Sequence, residues 1–373
     1  MKEHDIAIIG GGLAGLTAAI HMALEGQEVI VFEAHPYPHH KVCGEYVSRE
    51  VEPYLKRLGV DLLKHNAVPI SHFEISTHTG HVIKTQLPLG GIGISRYAFD
   101  DILYQRAVQL GVVFYFEKVV GVAVQGDAFE ITSTSQKVKT KIAIGAYGKR
   151  SLLDKKLDRD FSFKKQSWLA VKSHYKHKNF PDALVALHNF EGGYGGLSKT
   201  EKGMVNFCYL VNYETFKSYK DIESFNTQVV SKNPYLRRFL KDATPVFDSP
   251  MSIAQISFDK KESVVKHMLM CGDTAGLIHP LCGNGMAMAI HSAKLVSELV
   301  VRFFKEPEFT RKDLEKEYTA HWKRTFARRL WVGRRLQSIL MHKTMVNLGI
   351  RMVGRSNRVL TYIIGKTHGK LIE

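Results

Sequence analysis

Cysteine is scarce in this chain. Cys43, Cys208, Cys271 and Cys282 form no Cys-x-x-Cys and no Cys/His finger spacing. That excludes a structural zinc finger and a secreted disulfide framework. No apolar run is long enough to cross a bilayer. A signal-peptide pattern is missing as well, since Lys2, Glu3, His4 and Asp5 lead straight into an apolar strand. These absences predict a cytoplasmic protein, either free or held at the inner membrane face. Acidic residues vanish near the end: His321 to Ile372 holds 12 Lys/Arg and no Asp or Glu. That stretch carries most of the formal charge of +16. Wholesale disorder is excluded by a composition 45% hydrophobic and 24% charged. The 373 residues suffice for two domains, or one with an inserted partner, and for a self-supporting core.

Asp5 to Ile9 is an apolar run that ends in glycines, the pattern of a buried parallel strand. Leu13 to Leu24 has helical character, and Glu28 to Glu33 reads as a second buried strand. Val51 to Leu58 and Tyr97 to Leu110 read as helices. Phe73–Ser76 with His81–Gln86 reads as a hairpin. Strands are expected at 112–116, 119–124, 128–133 and 141–144. From about Phe161 to Lys260 strand-like runs dominate (169–175, 184–190, 204–210), separated by the glycine turns Gly192-Gly193 and Gly195-Gly196. Val264 to Met270 resembles one more buried strand, and Gly285 to about Phe304 a helix.

Gly10-Gly11-Gly12-Leu13-Ala14-Gly15 satisfies G-x-G-x-x-G. It follows a strand, opens a helix, and Glu33 closes the next strand about 20 residues on, the context a dinucleotide fingerprint requires. Gly10 permits the tight turn, Gly12 lets backbone approach a pyrophosphate, and Gly15 lets helix and strand pack. The helix N-terminus then offers free N–H groups to phosphate, and Glu33 would accept from ribose hydroxyls. The motif does not distinguish NAD from FAD.

A second segment does. Cys271-Gly272-Asp273 ends a strand, and Pro280-Leu281-Cys282-Gly283-Asn284-Gly285-Met286 opens a helix. With the first motif, this order resembles the FAD-dependent oxidoreductases that include geranylgeranyl reductases and aromatic-ring hydroxylases of the para-hydroxybenzoate type. The resemblance implies that Asp273 holds the ribityl chain and that Gly283, Asn284 and Gly285 face the flavin. Lys41-Val42-Cys43-Gly44-Glu45 resembles the Cys-Gly motif of the reductases. Arg96, Phe99, Asp100 and Leu103 resemble the superfamily's Arg-x-x-Phe-Asp-x-x-Leu helix start. Gly145-Ala146-Tyr147-Gly148-Lys149-Arg150-Ser151 resembles its Gly-Ala-x-Gly-x-x-Ser strand end. The implied cofactor contacts are Gly10, Gly12, Ala14, Gly15, Glu33, Ala34, Lys41, Cys43, Arg96, Gly145, Gly272, Asp273, Pro280, Gly283, Asn284, Gly285 and Met286. The hydroxylases usually carry Asp where this chain has Tyr147, which weighs against direct NADPH reduction. The Trp-x-Trp-x-Ile-Pro motif of flavin halogenases is missing, because Trp168, Trp322 and Trp331 never fall at that spacing.

The implied fold is α/β, α+β overall. A Rossmann-like FAD-binding domain is expected from residues 1–60, 95–160 and 261–303. An inserted antiparallel sheet domain for substrate is expected at 61–94 and 161–260, and a basic helical region at 304–373. Cys43 and Glu45 are the catalytic candidates. Cys43 would act as a proton donor or pocket wall, against packing as a small hydrophobe. Glu45 would hold charge beside the flavin, against bonding loop backbone. Lys41 would pair with Glu45, approach a phosphate or remain solvated. His279 is a turn residue or a site residue. The histidines at 35, 39 and 40 have no ligand partners in sequence, so no metal is expected.

Trp322, Phe326 and Leu330 fall at i, i+4 and i+8, with Arg324 and Arg328 on a neighbouring face. An amphipathic cationic helix is therefore expected, either packed on the domain or lying on anionic lipid. Nucleic acid is disfavoured, since no aromatic-rich binding motif appears. The expected reaction is hydride transfer from reduced flavin to an alkene of a lipophilic, isoprenoid-like substrate. The alternative is a single-component monooxygenase acting on an aromatic or polyketide. The electron donor, NAD(P)H or a reduced carrier, is left open.

Overall fold

The computed structural model describes residues 2–149, 151–164, 167–341, 364–365 and 369–373. Arg150 of the strand-end motif, and 342–363 and 366–368 of the basic stretch, lie outside them. The chain opens with β1 (Lys2–Ile9), α1 (Leu13–Leu24) and β2 (Val29–Phe32). β3 (Tyr46–Ser48), α2 (Glu52–Arg57), β4 (Val68–Ser76) and β5 (Val82–Gly93) follow. α3 (Arg96–Gln109) leads to β6 (Val113–Tyr115), β7 (Val119–Gln125), β8 (Ala128–Ser133) and β9 (Lys137–Gly145). After α4 (Leu152–Lys156) come β10 (Trp168–Lys176), β11 (Leu184–Phe190), β12 (Gly193–Lys199) and β13 (Val205–Asn212). Next are α5 (Tyr213–Phe216), α6 (Ile222–Gln228), α7 (Pro234–Asp242), β14 (Thr244–Pro245) and β15 (Met251–Ile256). β16 (Val264–Val265), β17 (Met268–Met270), α8 (Gly285–Lys305) and α9 (Arg311–Met341) complete the order.

Two sheets result. The first runs β16-β17-β9-β1-β2-β6, with β17, β9, β1, β2 and β6 parallel and β7–β8 attached to β9. Ile6, Ala7 and Ile8 are fully buried, as expected of a strand covered on both faces. Small residues on α1 (Ala14, Ala18, Ala19) let it pack closely under α8. The second sheet runs β14-β10-β13-β12-β11-β4-β5-β3, with β15 beside β10. It is antiparallel except where β4 meets β11 in parallel. One face buries Val171, Phe207, Tyr209 and Val211 against α6 and α7. The other turns toward the first sheet.

Two expectations need correction, and one open alternative is decided. Val264–Met270 is not one strand: Lys266 and His267 take positive φ, so β16 and β17 pair as a tight hairpin. Gly195-Gly196 is no turn but lies inside β12. A Cβ on Gly195 would sit 2.6 Å from the Phe207 ring, so glycine there admits an aromatic of the next strand. The stripe Trp322, Phe326 and Leu330 packs against the core around α8, with the rings of His291 and Phe326 at 5.3 Å. The apolar face of α9 is therefore consumed inside the protein.

Candidate functional site

The glycines of the first motif do different work. Gly10 has φ +106°, and a Cβ there would lie 2.4 Å from the Ala146 carbonyl oxygen. A Cβ on Gly15 would lie 2.0 Å from the Gly10 oxygen. Both are glycine because the fold leaves no room. Gly12 differs, since its Cβ would meet only Arg96 Nη2, at 3.6 Å. The space over Gly12 is open, and no side chain caps the start of α1 there. An uncapped N-terminus beside an open glycine fits a pyrophosphate. Arg96 lies across this cradle, forked onto Asp100 at 2.7 and 2.8 Å. Glu33 accepts from Gly11 N–H at 2.9 Å and Ala34 N–H at 2.8 Å. Glu33 and Ala34 line a cleft of about 1390 Å³ that also holds Gly10, Gly12, Lys41, Arg96 and Asp273.

Asp273 sits where this cleft joins an inner cavity of about 270 Å³. Pro280, Gly283, Asn284, Gly285 and Met286 line the cavity together with Ala14, Cys43 and Glu45. Asn284 does not cap α8; its amide reaches Glu50 Oε2 at 3.4 Å instead. Among the described residues no side chain caps the first N–H groups of α8, whose positive end suits an anionic group at the cavity. The rest of the cavity is mostly apolar, with Phe73, Leu87, Leu187, Leu210, Ile256, Phe258 and Leu277 among its walls and Arg96, Lys149 and Asp273 on the side of the cleft. Cleft and cavity together form one continuous site between the two sheets, suited to a dinucleotide with a planar head.

The Cys43 loop is held from the second sheet and from the segment after β9. Three successive carbonyls accept from three side chains: Lys41 from Lys172 Nζ, Val42 from Lys149 Nζ and Cys43 from Asn206 Nδ2, each at 3.1 Å. Glu45, at φ +55°, is fully buried. Its carboxylate accepts from Lys172 Nζ at 2.5 Å and from Arg96 N–H at 2.7 Å, and bonds His174 Nε2 at 2.6 Å. Burial pushes the Glu45 pKa up, but the His174 hydrogen bond and the Lys172 ammonium outweigh it, and the pKa falls below its usual range. His40, Glu45 and His174 bring ligand atoms within 4.8 Å of one another, which sequence reasoning missed. Lys172, also fully buried, already neutralises that carboxylate.

Some candidates stand behind the site. Gly15, Gly145 and Gly272 do not line it. A Cβ on Gly145 would strike Met270 Sδ at 2.6 Å, and one on Gly272 would strike Ala14 Cβ at 2.8 Å, so both serve packing. Lys41 pairs with Asp100 at 3.1 Å and Glu33 at 3.6 Å, not with Glu45. His279 stacks on Phe258 at 3.8 Å, and burial lowers its pKa to about 4, leaving a neutral ring in the wall's second layer. Burial raises the thiols of Cys208, Cys271 and Cys282 to about 12, so none is a thiolate at neutral pH. Tyr147 donates to Asp154 Oδ1 at 3.0 Å. Lys172, His174 and Asn206 were not singled out from the sequence. Their one signal is period two: Lys172 and His174 place polar groups on one face of a strand whose other face is apolar.

The chain is similar to known flavoproteins over most of its length. A family model described as an FAD binding domain matches residues 3–306. Conditioned medium factor receptor 1 of Dictyostelium discoideum is 21% identical over 364 residues, covering 87% of this chain and 68% of that protein. Digeranylgeranylglycerophospholipid reductase of Methanocaldococcus jannaschii is 24% identical over 342 residues, covering 86% and 82%. The solved structure of a flavin-dependent brominase superposes with a TM-score of 0.80 at 16% identity, covering 98% of this chain and 94% of that one. The open cradle over Gly12, the uncapped α1 and α8, and the match across residues 3–306 agree: the chain belongs to the FAD binding domain family and is an FAD-dependent oxidoreductase of the reductase or monooxygenase kind.

Proposed function

We propose that this chain reduces an alkene of a lipophilic, isoprenoid-like substrate. When bound, reduced FAD supplies the hydride. The observation that carries the reading is the apolar cavity meeting the N-terminus of α8, with the half-buried Cys43 at its edge. Leu187, Leu210, Phe258 and Leu277 would hold a hydrocarbon chain and exclude water. Gly285 and Met286 at the helix start would favour negative charge on the bound cofactor. Cys43 would hand a proton to the substrate carbon, its loop held by Lys172, Lys149 and Asn206. The similarity to a digeranylgeranylglycerophospholipid reductase supports the substrate class.

The test is mass spectrometry of a lipid and pigment extract incubated with the FAD-loaded protein and a chemical reductant, with and without air. A species gaining two hydrogens without oxygen is expected, and Cys43→Ala should slow its formation at least tenfold. A species gaining one oxygen, formed only in air, would overturn the reading in favour of a monooxygenase.

A further inference from the structure

The outward side of α9 carries a stripe that none of the described residues covers. Arg324, Arg328, Trp331, Arg335 and Ile339 follow i, i+4, i+7, i+11 and i+15, one line along a helix of 3.6 residues per turn. All five are exposed, Trp331 by 54% and Ile339 by 37%. The opposite line is Trp322, Phe326, Gly333 and Gln337, all buried. Arg329 on the packed side pairs with Glu50 at 2.9 Å. Among the described residues, Arg324, Arg328 and Arg335 pair with no acid. The helix's acids, Asp313, Glu315 and Glu317, are confined to its first two turns. The Arg335 guanidinium lies over the Trp331 ring at 5.5 Å, so this exposed tryptophan sits inside the cationic stripe.

We propose that this stripe docks the protein on an anionic lipid bilayer. Arginines would lie in the field of the headgroups, and Trp331 and Ile339 would enter the interface. The stripe spans roughly 22 Å, long enough to engage several headgroups at once. Charge complementarity favours this partner. A single tryptophan with an aliphatic neighbour suits an interface and offers no stacking platform for bases. The position fits too. A Cβ on Gly333 would touch Cys282 Sγ and Ile278 Cγ1, each at 3.3 Å, and both residues line the inner cavity. The docked bilayer would therefore lie about one helix diameter, roughly 10 Å, from the cavity wall. The inference holds whether the reaction is reduction or oxygenation.

The experiment is flotation of the FAD-loaded full chain with two vesicle preparations: pure phosphatidylcholine, and an equal mixture with phosphatidylglycerol. Binding to the mixed vesicles alone is expected, reversed by added salt. The triple variant R324Q/R328Q/R335Q should partition roughly a hundredfold more weakly while keeping its FAD absorbance. Brominated lipid should quench tryptophan emission, and Trp331→Phe should remove most of that quenching. Equal binding to neutral vesicles, a triple variant that floats like its parent, or no flotation at all would overturn the proposal. So would tighter binding of a random oligonucleotide through the same arginines.

Discussion

Lys172→Met tests the buried clamp on the Cys43 loop. In the parent, the Lys172 ammonium and the Glu45 carboxylate are both fully buried, 2.5 Å apart, and Lys172 also holds the Lys41 carbonyl at 3.1 Å. Methionine keeps most of the volume and removes the charge. Glu45 then keeps His174 and the Arg96 N–H but loses its buried cation. Removing one member of a buried pair costs about 3–5 kcal/mol, because the remaining charge is stranded in low dielectric. The double variant K172M/E45Q strands no charge, only the Lys41 carbonyl, and should recover all but about 1–2 kcal/mol. Urea unfolding of the FAD-loaded protein, followed by circular dichroism, measures both. The pH dependence adds a second check. Glu45 has a lowered pKa in the folded parent. Its stabilisation is complete above the unfolded glutamate value of about 4.3 and is lost as pH falls through the folded value. In K172M the folded Glu45 binds its proton more readily, so the gap between parent and variant should narrow on acidification from neutrality. A gap below about 1 kcal/mol at neutral pH, or a double variant no better than the single, would refute the reasoning.

Gly12→Ala should leave the melting temperature of the FAD-free chain unchanged and weaken FAD binding at least tenfold, read by flavin fluorescence titration. Gly15→Ala, whose Cβ meets the Gly10 oxygen at 2.0 Å, should instead fail to fold, read by circular dichroism. Phe326→Ala should cost about 3–5 kcal/mol of stability, measured by urea unfolding, because Phe326 is fully buried between α8 and α9.

The cofactor end was readable because its signals are local. A strand, a turn without room for Cβ and a helix start are dictated by a handful of adjacent residues, so Gly10 to Gly15 and Cys271 to Met286 announce themselves. The strands β11 and β13 were placed by their apolar runs. The hairpin at Lys266 and the strand position of Gly195 were missed, because a positive φ and a neighbouring Phe207 ring are not local composition.

By itself, the sequence determined the dinucleotide cradle, the order of the two FAD motifs, the strand-rich middle and the charge of the C-terminal stretch. Each rests on contacts within a few residues or on composition. Only the tertiary structure decided that Lys172, Lys149 and Asn206 grip three successive carbonyls of the Cys43 loop, over separations of 107 to 163 residues. It also decided which line of α9 faces inward, since a helix with aromatic residues on two sides can pack either. The core around α8 selected Trp322 and Phe326 and left Trp331 outside among the arginines.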